Sequence, residues 1–141
     1  MDATDTISST VGEVRRANTG SFRYGKAAAA LTAGDLCAFS TDGNYTATKF
    51  ATAATTQALG VPQNDIAINQ FGWFFIGEGT FRVNTAAGVT SGTKLHASAT
   101  PGQVDSGAGV LIGAVAVANA PGGGGLTNAW APAHLAANLY A

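Results

Sequence analysis

Charge is what this sequence has least of. Seven Lys and Arg and eight Asp and Glu make up 11% of 141 residues, where an ordinary soluble domain carries roughly 25%. Seven cations against eight anions cannot supply the phosphate contacts that dominate nucleic-acid affinity, so a nucleic-acid partner is excluded. Cysteine is almost absent: Cys37 alone permits no internal disulfide and no cysteine-based zinc site. No stretch approaches ~18 uninterrupted apolar residues, and Met1-Asp2-Ala3-Thr4-Asp5 leads into no apolar core of a leader peptide. Neither a membrane span nor a targeting segment is expected.

What the chain has instead is small residues. Ala (29), Gly (19) and Thr (17) fill 65 positions while the hydrophobic fraction stays at 46%. The length suits one domain with a sizeable core, and the bias favours strands, tight turns and close contacts over helices rich in Glu, Lys and Leu. Much of the surface must then be neutral.

The few charges are unevenly placed. Seven of the fifteen lie in the first 26 residues, and none follows Asp105. A charge-free stretch of 36 residues predicts burial, either within the domain or against neighbours. Residues 1–20 are polar and small and end in Asn18-Thr19-Gly20, which reads as an extended N-terminal arm. Ile7, Val11 and Val14 leave a short amphipathic helix as the alternative. The domain proper is expected over 21–141.

From Phe22 onward short strands are cut by Gly and Asp/Asn turns. Phe22–Lys26 alternates as an edge or half-buried strand and runs into Ala27–Ala30, which locally could be helix. Leu36–Ser40 and Tyr45–Phe50 flank Asp42-Gly43-Asn44, a β-hairpin signature, because Gly and Asn tolerate positive φ. Leu59–Pro62 is a strand that proline ends. Phe71–Gly77 is the most apolar run and is expected to be buried on both faces; Gly77-Glu78-Gly79 turns it into Thr80–Asn84. Val110–Val117 reads as a second buried strand. Pro121–Gly125 reads as a flexible loop, and Ala131-Pro132-Ala133 interrupts any long helix in the apolar tail.

One internal echo matters more than any single strand. Gly34–Ser40, Asp42–Tyr45 and Leu59-Gly60-Val61 are repeated as Gly92–Ser98, Pro101–Val104 and Ile112–Val115, about 58 residues on. Each copy is a turn, a strand, a Gly hairpin and a Gly-interrupted strand. The fold expected is all-β, a small pseudo-duplicated β-sandwich or β-barrel-like domain.

Residues with chemical potential are sparse. His96 sits in a predicted strand and His134 in Trp130-Ala131-Pro132-Ala133-His134, with no carboxylate spaced to orient either. Asp42-Gly43-Asn44 lacks the alternating ligands and closing Glu of a calcium loop, and no Lys-Ser/Thr follows Gly122–Gly125 to make a phosphate loop. Neither a cofactor nor a metal is expected. Cys37 has no basic neighbour in sequence and reads as a small buried hydrophobe. Trp73, Phe74 and Phe75 read as core, with a sugar-binding face as the alternative; Trp130 and Tyr140, in the charge-free tail, read as subunit contacts.

The Gly34-Asp35-Leu36 turn, the Asp42-Gly43-Asn44 hairpin, Leu59-Gly60-Val61 and Ile112-Gly113-Ala114-Val115 together resemble the small capsid cement, or head decoration, proteins of tailed bacteriophages. The resemblance spans roughly residues 22–118. It implies a β-rich fold, no enzyme activity, and binding to the outside of the expanded capsid shell of the virion, often as trimers. The expected partners are the major capsid protein, further copies in a homotrimer, and neighbouring decoration subunits reached by the arm. The residues expected at these interfaces are Arg15, Arg16, Phe22, Arg23, Tyr24, Trp130 and Tyr140. Two other classes stay open: a tail-fibre or baseplate β-domain binding carbohydrate through Trp73, and a small hydrolase drawing on Asp35, Asp65, Glu78 and His96.

Overall fold

The structure, a computed structural model, describes residues 10–51, 58–107 and 109–137. Every regular element among them is a strand: β1 (Val14–Ala17), β2 (Gly20–Ala27), β3 (Cys37–Phe39), β4 (Thr46–Lys49), β5 (Leu59–Pro62), β6 (Phe71–Thr85), β7 (Lys94–Ala97), β8 (Val104–Asp105), β9 (Leu111–Ala116) and β10 (Gly125–His134). The chain is therefore all-β.

Strand pairing closes two rings. In the first, β2 pairs with β6, β6 with β5, β5 with β3 and β3 with β4, all antiparallel, and β4 returns parallel to β2. In the second, β6 pairs with β10, β10 with β9, β9 with β7 and β7 with β8, all antiparallel, and β8 returns parallel to β6. The two circuits are identical in order and direction. Each is a five-stranded barrel, and β6 is the last strand of one and the first of the other.

The echo in the sequence is this duplication, and it extends to individual hydrogen bonds. Gly34 N donates to Pro62 O at 2.7 Å, as Gly92 N does to Ala116 O at 2.7 Å. Ala33 N donates to Asp65 Oδ1 at 2.9 Å, as Ser91 N does to Asn119 Oδ1 at 2.9 Å. Gly34 and Gly92 share a left-handed backbone, φ 92° and 89°, which favours glycine at both turns. The match breaks at Gly113: it belongs to a bulge between Lys94↔Val115 and His96↔Leu111, so the residue corresponding to Gly60 is Ala114.

The two barrels fill their interiors by opposite means. In the first, Phe39, Phe74 and Ile76 pack with Cys37, Ala27 and Ala47, and Leu31 and Ile66 join them through an isolated bridge. The corresponding residues of the second are Ala97, Ala129 and Ala131 against Leu95, Thr85 and Val104, all fully buried. Large and small positions are thus exchanged between the two copies, and the second interior is filled by smaller side chains. The exchange extends to backbone approach: a Cβ on Gly25 or Gly60 would lie 3.0 or 2.8 Å from the Phe39 ring.

Four expectations are revised by the structure. Gly77-Glu78-Gly79 does not reverse the chain. β6 runs on through it, bent at Gly77 (φ 141°) and Glu78 (φ 63°), where pairing passes from β2 and β5 to β10. The strand at 110–117 is buried on one face only, with Gly113 exposed and Leu111 and Val115 half-buried. The glycine run is a turn, closed by Gly124 N to Pro121 O at 2.9 Å, and it leads into a ten-residue strand, β10. The arm expected over 1–20 meets the described residues from Thr10 on, and there Val14–Ala17 pairs with Gly20–Arg23 as a hairpin. Residues 1–9 lie outside them.

Candidate interaction surface

β9 and β10 alternate. Ala114, Ala116, Thr127, Ala129 and Ala131 face inward and are buried. The intervening residues form the outer face: Leu111, Gly113 and Val115 on β9, and Asn128, Trp130 and Pro132 on β10. Trp130, opposite Val115 in the ladder, is 46% exposed. With Lys94 from β7, Leu111, Gly113, Val115, Trp130 and Pro132 line an open hollow of about 210 Å³. Val117, just past the end of β9, and Leu126, near the start of β10, add further exposed apolar surface. A tryptophan on a two-stranded apolar face is the composition of an interface core rather than of ordinary surface.

The corresponding face of the first barrel is covered. Matching the ladders puts Val61 where Val115 stands and Phe75 where Trp130 stands. Both are 0% exposed and belong to one continuous core shared with the second barrel. Phe75 stacks on Phe81 at 4.4 Å between ring centres. The tip of the β7–β8 hairpin is stitched in beside them: Leu36 N donates to Gly102 O at 2.9 Å, and Gly102 N donates to Phe50 O at 3.0 Å.

At the other end of the chain, the β1–β2 hairpin carries the arginines. Arg16 Nη1 meets Glu78 Oε2 at 2.8 Å with most of its side chain in solvent. Arg15 pairs with Glu13 and lays its guanidinium over Trp73, 5.2 Å from the ring centre. Glu78 also accepts from Ser21 Oγ at 2.8 Å and faces His134 Nε2 at 3.3 Å, so strands β1, β2, β6 and β10 are tied at one carboxylate. The Ser21 hydrogen bond, with the charges of Arg16 and His134, holds that carboxyl below the ordinary glutamate value of 4.5.

The interface residues expected from sequence thus divide. Arg15, Arg16 and Trp130 are at the surface. Phe22 and Tyr24 are core: Phe22 packs edge-on against Phe75, and Tyr24 lies against Trp73 and Phe71. Arg23 lies over the rings of Tyr45 and Phe39, at 4.8 and 5.8 Å, with its Nε buried. Tyr140 lies outside the described residues. Sequence reasoning missed Leu111, Val115 and Pro132, whose alternation with buried alanines was the available signal.

Of the residues considered for chemistry, Asp35 and Asp65 share the turn at Thr32 and Ala33, while Glu78 and His96 lie elsewhere in local structures of their own. Asp35 accepts from Thr32 N at 2.8 Å and pairs with Lys49 at 3.7 Å; Asp65 accepts from Ala33 N; His96 lies across from Asp105 on β8. Among the described residues no three of His, Cys, Asp and Glu are grouped to hold a metal ion. Trp73 is 3% exposed and presents no ring face to a sugar. Comparison with protein-family models gives no match, and neither does comparison with curated proteins. The surface of β9 and β10, a largely apolar sheet face that no described residue covers, is accordingly the feature on which a functional reading rests.

Proposed function

We propose that this chain is a structural virion protein that binds the outside of a bacteriophage capsid and stabilises it. The observation that carries the reading is the face at Trp130, covered by no described residue and lying in the charge-free last quarter of a chain that buries the same face of its first barrel. Such a surface costs solubility unless an assembly covers it. A shell-binding protein gains affinity through many modest contacts repeated by symmetry, and association into a homotrimer multiplies them by effective concentration. A neutral surface rich in Ala, Gly and Thr lets backbones approach closely, and on this reading the N-terminal arm adds contacts to a capsid subunit or a neighbouring copy.

The test is binding of purified protein to expanded capsids emptied of DNA, read by co-sedimentation and by the temperature at which the shells disrupt. Saturable binding with a raised disruption temperature is expected. Deletion should stop at residue 9, because β1 is part of the sheet, and loss of occupancy in that variant locates the capsid contact in the arm. Absence of binding to shells of every maturation state overturns the reading.

A further inference from the structure

The duplicated barrels give a direct comparison between a covered face and an uncovered one. In the first barrel, the face at Leu36, Val61 and Phe75 is occupied by the second barrel, whose hairpin tip at Gly102 sits between Leu36 and Phe50. In the second barrel, the matching face is Lys94, Val115 and Trp130, and no part of the chain among the described residues seals it. The matching tips differ in the same way. Gly102 has φ 83°, and a Cβ there would lie 3.2 Å from Asp35 Oδ1 and 3.3 Å from the Lys49 side chain. Gly43, at the tip of the β3–β4 hairpin, has φ 85° and nothing within 4 Å. The chain thus carries one socket-and-tip joint made within itself, one unfilled socket and one free tip.

We propose that the Lys94–Val115–Trp130 face binds a second copy of this chain, receiving the Asp42-Gly43-Asn44 tip of that copy's first barrel. The joint between molecules repeats the joint within the molecule. Its charges agree: the tip brings Asp42, held ionised by Asn44 N and Ser40 Oγ, to a socket edged by the exposed Lys94. Because socket and tip are different surfaces, the contact is head-to-tail, and it closes into a ring if the rotation between copies allows. The proposal concerns the chain alone and does not depend on a capsid.

The experiment is sedimentation velocity of the full-length protein without capsids, over a range of concentrations. Wild type is expected as an oligomer; a monomer at every concentration overturns the proposal. Trp130→Glu, with a damaged socket, and Gly43→Trp, with a blocked tip, are each expected to be monomeric with unchanged circular dichroism. Mixed, they retain one good socket and one good tip and are expected to form a 1:1 dimer. If Gly43→Trp keeps the wild-type mass while Trp130→Glu loses it, the face pairs with itself and the tip has no part, which overturns the proposal. Should either variant fail to fold, Lys94→Cys and Asp42→Cys are mixed under mild oxidation. A crosslinked heterodimer is expected, and its absence from an oligomer counts against the joint. Capsid binding by the monomeric variants is scored separately, so failure of the joint and failure of the capsid reading are distinguishable.

Discussion

Thr85 and Thr127 face each other inside the second barrel with their hydroxyl oxygens 2.6 Å apart, and Thr85 Oγ1 also donates to Gly125 O at 2.9 Å. The first barrel has Ala27 and Gly72 at the matching positions, so this polar pair belongs to one copy only. Replacing Thr85 with Val leaves Thr127 with Gly125 O at 3.4 Å as its remaining partner, and a buried hydroxyl so placed costs about 1–3 kcal/mol. The double variant Thr85→Val with Thr127→Val removes both groups and is expected to cost less than the two single changes added together. Urea denaturation of the four proteins measures the coupling, and strict additivity would refute a shared hydrogen bond.

The bend in β6 is expected to be the least tolerant point in the backbone. A Cβ on Gly77 would lie 2.1 Å from Ala133 O, on a residue already at φ 141°. Gly77→Ala should therefore cost more than about 3 kcal/mol or prevent folding. Gly43→Ala meets no neighbour and should cost about 1–2 kcal/mol, the conformational penalty alone. Thermal melts of the two variants check the contrast, and equal costs would mean that the crowding at Gly77 is relieved by a small shift of β10.

Glu78 predicts a particular acid response. Its carboxyl titrates below the ordinary glutamate value of 4.5 in the folded chain, chiefly through Ser21. A depressed folded-state value means that the contribution is present above the unfolded value and is lost as pH falls through the folded one. Melting temperature followed from about pH 6 to pH 3 should decline less steeply for Glu78→Gln than for wild type. Glu13 and Asp42 are also depressed and contribute to the slope that remains. Parallel curves for the two proteins would show that the Ser21–Glu78 bond contributes nothing in solution.

Cys37 is fully buried in the first barrel, and burial, reinforced by the nearby Asp35 charge, pushes its thiol far above the usual range. A disulfide exchange reagent at about pH 8 should leave the native protein unmodified and label one thiol per chain after denaturation. Labelling in the native state at a rate independent of stabilising salts would place Cys37 near the surface.

Much of this architecture was legible in the residues. Asp42-Gly43-Asn44 marked a hairpin because few sequences satisfy its left-handed turn, and the Gly34 and Gly92 turns repeated because both need the same positive φ. β1 was hidden, since Val-Arg-Arg-Ala shows no apolar alternation and its order comes from pairing with β2. β10 was hidden for a different reason: its inward residues are Thr127, Ala129 and Ala131, small because Phe81, Val83 and Leu95 already fill the space they face. Gly77-Glu78-Gly79 has the composition of a turn, and only its pairing on both sides shows it to be a bend. Trp73 and Trp130 could not be told apart by type. One is packed under Arg15, and the other is exposed because no described residue covers its face.

The shared strand makes the molecule indivisible in a particular way. Cut before Phe71, the chain yields β6–β10, a complete second ring; cut after Thr85, it yields β1–β6, a complete first ring. The two rings divide the strand at its bend: Phe71–Phe75 pair with β2 and β5, Gly79–Thr85 pair with β10, and Gly77 pairs with both Ser21 and His134. The two rings therefore meet at Gly77, and a change there disturbs both at once, whereas a change elsewhere on β6 falls first on one ring.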